Sequence, residues 1–125
     1  MWKEKAIEEL RRRGYKLTPQ RLKLLEVLEE LGSKHPAMTE VLARIREEFP
    51  TVSFSTLYSN LLTLRELGLV ELFSLDGETR VELNTKPHLN LIHGEEVTDL
   101  DDEEIIEAIK RKVGRKVRLV NVVLD

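Results

Sequence analysis

The stretch from residue 53 to 68 carries hydrogen-bonding side chains at a spacing that suits contact with DNA. Leucines at helical spacing predict a helix with one apolar face, which Ser53 begins as N-cap and Gly68 ends in the left-handed conformation. The opposite face carries uncharged polar or aromatic groups: Ser55, Tyr58, Ser59 and Thr63. Such groups near a helix N-terminus suit the DNA major groove, although an ordinary amphipathic helix explains the pattern equally well.

The chain has no cysteine, which limits the other chemistry that it can perform. Disulfides, thiol catalysis and thiolate zinc sites are excluded, so any metal ion must be bound by His, Asp, Glu or an amide oxygen. The sequence shows neither a nucleophile beside a base nor a phosphate-cradling loop. We therefore predict that the protein is not an enzyme.

Charge is distributed unevenly along the 125 residues. The net charge is −3, yet residues 1–25 contain eight basic side chains and only three acidic ones. A basic region on an acidic protein fits a localised surface for binding phosphates. Because no apolar run reaches the roughly 18 residues of a membrane helix and no signal peptide is visible, we expect a cytoplasmic protein.

The first part of the chain is predicted to contain helices followed by a hairpin. The predicted helices are Trp2–Arg13, a second from Pro19 to Gly32 with Thr18 as N-cap, a third over about Met38–Glu48, and the stretch described above. The second is expected to bury Leu22, Leu25, Leu28 and Leu31. Strands around Asp76-Gly77, a strong hairpin turn, then give the element order of a winged helix, with the preceding helix as recognition helix.

The last part of the chain is predicted to be a small α/β unit after a hinge at residues 84–87. The predicted elements are strands near Leu89–Ile92 and Val97–Leu100, a helix capped by Asp101 with Glu104, and a buried strand in Lys116–Leu124. A unit of about 40 residues without disulfides usually needs a metal or self-association. We thus predict an α+β protein with a winged-helix DNA-binding domain at 1–84 and an α/β dimerisation domain at 85–125.

Several of these segments together resemble the ferric uptake regulator family of metal-dependent repressors. The resemblance rests on Gly14–Arg21, on His35-Pro36, on Val52–Leu61 and on Leu67–Val70, which follow at the spacing of the family. It implies a homodimer that binds palindromic operator DNA, with metal binding favouring the DNA-competent shape.

The resemblance also implies a regulatory metal site. Matched position by position, its ligands are His35, Glu82, His88, Asn90 and Asp99. Two imidazoles with two carboxylates suit one divalent transition metal per subunit, such as Fe²⁺, Mn²⁺ or Zn²⁺. Asp99 is typical of peroxide-sensing members and Glu82 of iron-sensing members, so the signal is left open.

The sequence departs from the family pattern at this site. Asn90 occupies the place of a second histidine in a His-x-His motif, and an amide oxygen is a weaker ligand for transition metals. The two Cys-x-x-Cys pairs that hold a structural zinc in the family are absent, so no structural zinc of that four-cysteine kind is expected. His93 stands where the first of those cysteines would be, and we expect it to be an ordinary polar residue of the strand. The alternative hypothesis is therefore a regulator with a degenerate site that binds DNA without metal.

Candidate DNA contacts come from the recognition helix, the basic region and the hairpin. They are Lys16, Arg21, Lys23, Ser55, Thr56, Tyr58, Ser59 and Arg80. Tyr58 suits a thymine methyl or a phosphate. Since the first half of the recognition helix has no Arg or Lys for bidentate contact with guanine, we predict an A·T-leaning site whose affinity comes largely from phosphate contacts.

Overall fold

The structure is a computed structural model that describes all residues from Met1 to Asp125. Two compact units divide the chain, residues 1–84 and 85–125. The first is mainly helical with one hairpin, and the second combines one helix with a three-stranded sheet. The predicted α+β class is confirmed. None of the helices combines the length and the apolar character that a membrane span requires.

Five helices and five strands make up the two units. The first unit contains α1 (Trp2–Arg12), α2 (Pro19–Leu31), a 3-10 turn (Gly32–Lys34), α3 (Met38–Arg46), α4 (Phe54–Glu66), β1 (Glu71–Leu75) and β2 (Glu78–Glu82). The second unit contains β3 (His88–His93), β4 (Glu96–Leu100), α5 (Glu103–Val113) and β5 (Leu119–Val123).

Helix α4 begins and ends where the sequence predicts. The Ser53 hydroxyl accepts a hydrogen bond from the backbone N–H of Thr56 at 3.1 Å, and Gly68 follows the helix with φ of +72°. The three leucines of its predicted apolar face, Leu57, Leu61 and Leu64, are each at most 1% exposed. Burial of one face against the core therefore fixes which face of α4 remains in solvent.

Helix α2 is buried on a wider face than predicted. Leu25 and Leu28 are buried as expected, whereas Leu22 and Leu31 are only half-buried. Leu24 and Val27, which lie outside the predicted stripe, are each 1% exposed. The reason is that α2 contacts both α1 and α3, so two neighbours cover it instead of one.

Helix α2 ends at Leu31, and Gly32 follows it as the sequence predicts. Gly32 is right-handed, with φ of −58°, and the chain continues into the 3-10 turn before His35 takes the left-handed conformation. Gly32 is needed for space instead, because an added Cβ would overlap the side chain of Leu83. The glycine thus lets the segment after β2 pack directly against the end of α2.

The β1–β2 hairpin has the turn that Asp76-Gly77 predicts. Leu75 pairs with Glu78, which leaves a two-residue loop, and both loop residues have positive φ. Positive φ at both positions matches the twist of a type I′ hairpin.

The second unit is built on β3, which lies between β4 and β5. It pairs antiparallel with β4 and parallel with β5, so that Asn90 is opposite both Asp99 and Asn121. Side chains at paired positions lie on the same face of a sheet. The register therefore places these three polar residues in one row.

Two expectations for the second unit are wrong. Asp102, and not Asp101, caps α5, and its carboxylate accepts from the N–H of Ile105 at 3.0 Å. The terminal strand is not buried within one chain, since Val123 is 76% exposed and Leu124 43% exposed. The physical reason is that β5 is an edge strand with a neighbour on one side only.

Candidate metal centre and nucleic-acid interface

The loop after α2 holds His35 against β2. The backbone N–H of Val81 donates to the carbonyl of Pro36 at 2.9 Å, and the guanidinium of Arg80 donates to the carbonyl of His35 at 3.2 Å. His35 has φ of +50°, which is uncommon for a residue with a Cβ. These contacts hold that conformation and direct the imidazole towards β2.

His35 and Glu82 form a buried pair in the first unit. The Nε2 of His35 lies 3.1 Å from Oε2 of Glu82, and the two residues are 5% and 1% exposed. The ring of Phe73 meets the imidazole edge-on at a centroid distance of 5.9 Å. A buried carboxylate requires a positive or hydrogen-bonding partner, so Glu82 is not the solvated charge that a hairpin strand usually carries.

His88 in the second unit has the orientation of a metal-binding histidine. Its Nδ1 lies 2.6 Å from the carbonyl oxygen of Lys86, and a carbonyl can only accept, so Nδ1 carries the proton. In the neutral imidazole the lone pair is then on Nε2, which lies 3.8 Å from Oδ1 of Asp99. A hydrogen bond from the other ring nitrogen to a carbonyl is the usual support of a histidine ligand.

Asn90 is completely buried beside this histidine. Its Nδ2 donates to Oδ1 of Asn121 at 3.4 Å, and Asp99 is its partner on the other neighbouring strand. Asn121 is not among the predicted residues, because only the parallel register of β5 reveals its position. His93 is exposed, and strand alternation places it on the opposite face from His88.

Each unit carries donor groups of the kind that bind divalent metal ions. Each unit supplies one imidazole and one carboxylate, and the second adds the amide of Asn90. Nitrogen and oxygen donors of this kind suit Mn²⁺, Fe²⁺ and Zn²⁺. The supported tautomer of His88 is the observation that most favours metal binding.

The face of α4 opposite its leucines is open to solvent. Exposed side chains on it are Ser55, Thr56, Tyr58 and Ser59, and Thr63 is half-buried. Phe54, which the sequence analysis did not select, is 49% exposed and lies one helical turn before Tyr58, which is 40% exposed. The sequence feature that could have identified Phe54 is an apolar residue outside the leucine stripe. The face therefore offers two aromatic rings and several hydroxyls.

The basic residues predicted to contact DNA differ in whether their charges are exposed to solvent or paired within the protein. Lys16 is exposed. Lys23 lies 3.3 Å from Glu48 and 3.6 Å from Glu26, and its hydrogen bond to Glu48 raises the pKa of Lys23. Its charge is therefore largely compensated within the protein.

Two arginines of the predicted set are hydrogen-bonded to the protein itself. Arg80 is half-buried beside the carbonyl of His35. Arg21 is half-buried and donates to Asn60 and to the carbonyl of Lys16. Lys16 is thus the basic residue of this set whose charge is most open to solvent.

Comparison with known proteins gives matches over both units. The ferric uptake regulator family matches residues 12–125. A ferric uptake regulation protein homolog of Archaeoglobus fulgidus is 56% identical over 125 residues, which cover 100% of this chain and 98% of that protein. Among solved structures, the Campylobacter jejuni peroxide stress regulator has a TM-score of 0.67 at 29% identity, over 95% of this chain and 94% of that one. The ferric uptake regulator from Pseudomonas aeruginosa with manganese has a TM-score of 0.69 at 28% identity, over the same shares of both chains, 95% and 94%.

Proposed function

Because the chain belongs to the ferric uptake regulator family, we propose that it represses transcription in response to a metal ion, as a homodimer on operator DNA. The family is one of transcriptional regulators, so the prediction that the protein is not an enzyme is confirmed. The observation that carries the metal part of the proposal is the hydrogen bond from Nδ1 of His88 to the carbonyl of Lys86, the usual support of a histidine ligand.

The proposed regulatory site takes ligands from both units. His35 and Glu82 would bind the same ion as His88 and Asp99, with Asn90 as a weaker oxygen donor. The ion supplies positive charge that two carboxylates can share. Ligands on two units make occupancy sensitive to how the units are arranged, and metal then favours the arrangement that binds it best. Fe²⁺, Mn²⁺ and Zn²⁺ all suit the donors, and no structural zinc held by four cysteines is part of the proposal.

The proposed DNA surface is the exposed face of α4. Ser55, Thr56, Tyr58 and Ser59 would enter the major groove, and Lys16 would contact phosphates. Because no basic side chain is present on the first half of this helix, apolar contacts with thymine methyl groups favour an A·T-leaning operator. Selection of duplexes from a randomised library would test this, and a G·C-rich consensus would count against it.

The proposed homodimer forms through the second unit. Its helix α5 leaves Ile105 39% exposed and Val113 58% exposed, and β5 leaves Val123 76% exposed. Apolar side chains on an edge strand and a neighbouring helix are unfavourable in water and invite pairing with another chain. We propose a cytoplasmic location, since DNA is the target.

A metal-independent regulator is the second candidate function. Asn90 favours it, because an amide in place of an imidazole weakens binding of a transition metal. The two candidates are separated by reconstituting the purified protein with metal and measuring how much metal is bound per subunit. Substoichiometric metal after reconstitution supports the second.

The deciding experiment is a gel shift on the duplex that the protein selects from a randomised library. It is performed with Mn²⁺, with Zn²⁺ and with a chelator. Tighter binding with one of the metals supports metal control. Equal affinity under all three conditions rejects it and leaves DNA binding intact.

A further inference from the structure

Arg21, the second residue after Pro19 in α2, is held by the protein on three sides. Its Nη1 donates to the carbonyl of Lys16 at 2.7 Å, in the segment between α1 and α2. Its guanidinium lies over the ring of Tyr15, 5.6 Å from the centroid. Its Nε and Nη2 both donate to Oδ1 of Asn60 on α4, at 3.1 and 2.9 Å. One side chain thus joins the α1–α2 segment, α2 and α4.

The side chain of Asn60 is also held through its amide nitrogen. Its Nδ2 donates to the carbonyl of Thr56, one turn earlier in α4, at 3.1 Å. The carboxamide can therefore satisfy both contacts only with its oxygen towards Arg21. Thr56 is in the first turn of α4, where its hydroxyl accepts from Ser53 at 2.9 Å. The guanidinium is linked in this way to the turn that carries the exposed hydroxyls.

We propose that Arg21 is a positioning residue that sets the orientation of α4, and is not a phosphate contact. The inference rests on the proposed DNA-binding function and changes the role first predicted for this residue. Three of the five N–H groups of its guanidinium are already used inside the protein, and a phosphate contact would have to compete with them. Holding α4 at one angle matters because base contacts need their donors and acceptors in register with the groove.

The fork shape of arginine is essential to this role. A lysine keeps the charge but cannot donate to Asn60 and to the Lys16 carbonyl from fixed, planar positions. Arg21→Lys therefore separates positioning from charge. A phosphate contact would tolerate this change, whereas the proposed role would not.

The experiment compares Arg21→Lys, Arg21→Gln and Asn60→Ala with the wild type. Lys16→Gln is the matched control, since it removes a neighbouring exposed charge. Fluorescence anisotropy measures binding to the duplex that the wild type selects from a randomised library, and to a scrambled duplex of the same composition. Titrations are repeated over a range of KCl concentrations, and circular dichroism gives the folded fraction of each variant.

Arg21→Lys and Asn60→Ala are each expected to weaken binding to the selected duplex by about tenfold, the scale of a lost hydrogen bond to a charged group. Binding to the scrambled duplex should not change, since phosphate contacts remain. The double variant Arg21→Lys with Asn60→Ala should lose no more than either single variant. Lys16→Gln should weaken both duplexes alike and lower the salt slope by about 1.

The proposal is overturned if Arg21→Lys keeps full affinity while Arg21→Gln lowers the salt slope by about 1, as a phosphate contact requires. Equal loss on both duplexes in Arg21→Lys also overturns it. If Asn60→Ala does not fold, amide hydrogen exchange in Arg21→Lys decides: faster exchange in the first two turns of α4 supports the role, and unchanged exchange rejects it. A wild type that selects no duplex refutes the proposed function, and the exchange measurement then still tests the contact between Arg21 and α4.

Discussion

A single hydrogen bond fixes which ring nitrogen of His88 carries a proton. Without it, either ring nitrogen could carry the proton, and the sequence has no means of choosing between them. The carbonyl of Lys86 makes the choice by accepting from Nδ1 of a ring that is only 1% exposed. In the neutral imidazole the lone pair is therefore on Nε2, the atom that we propose binds the ion.

At the residue scale, His88→Gln should weaken metal binding by at least about 100-fold, because loss of a ligand costs more than the 10–100-fold of a supporting group. The measurement is a competition titration of Co²⁺ or Zn²⁺ against a chelating dye. His93→Gln is the matched control, since His93 is exposed on the other face of β3. Equal affinities of the two variants would contradict a role for His88 as ligand.

Asn90→His should raise the affinity for Zn²⁺ and Co²⁺, since an imidazole is a stronger ligand for them than an amide oxygen. The same dye competition measures the change, and Thr98→His serves as control, since Thr98 is exposed on the opposite face of the sheet. An affinity no higher than that of the wild type would mean that position 90 does not reach the ion.

At the scale of elements, the position of His35 depends on how α2 and β2 meet. The left-handed backbone of His35 lies between a helix end and a strand. Close approach of Gly32 and Leu83 and the hydrogen bond from Val81 to Pro36 hold these two elements together. The pair of His35 and Glu82 is thus a product of helix–strand packing.

Gly32→Ala should destabilise the first unit by about 1–3 kcal/mol, the usual cost of overpacking. Leu83→Ala should partly rescue it, because the truncated side chain no longer meets the new Cβ. Urea unfolding of the two single variants and the double variant measures the coupling.

Gly68→Ala is the control for this cycle. An alanine there meets open space but is strained by the positive φ of +72°. The changes in the free energy of unfolding caused by Gly68→Ala and by Leu83→Ala should add in the double variant, with no rescue. If the effects of Gly32→Ala and Leu83→Ala on the free energy of unfolding were also strictly additive, the close contact between positions 32 and 83 would be disproved.

For the whole molecule, the exposed apolar residues of α5 and β5 are the main feature that a single chain leaves unexplained. The predicted burial of Lys116–Leu124 is wrong for one subunit, but the composition that suggested it remains. An edge strand rich in valine and leucine becomes buried only when something covers it.

Val123→Asp should dissociate the proposed homodimer, because a charge in an apolar interface is costly to desolvate. Sedimentation velocity at micromolar concentration would show the change from dimer to monomer. Thr98→Asp is the control, as Thr98 is exposed on β4 at the other edge of the same sheet. A wild type that is monomeric, or a dimer that survives Val123→Asp, would refute this interface.

Local chemistry explains why the sequence alone predicted the element order and several termini. Ser53 and Thr18 cap their helices, Gly68 and Gly114 end theirs with positive φ, and Asp76-Gly77 turns the hairpin. Each of these depends on one residue and its immediate neighbours, so no distant contact can change it. The resemblance to the ferric uptake regulator family, which the family match confirms, depends in the same way on local segments.

Only the tertiary structure decided what distant residues do to one another. It gave Glu82 a buried histidine as partner, gave Arg21 an asparagine on α4, and brought Asn121 beside Asn90. It also left β5 at the edge of the sheet, where the sequence had predicted burial. Burial and pairing depend on which elements meet, and that is set by the packing of the whole core and not by spacing along the chain.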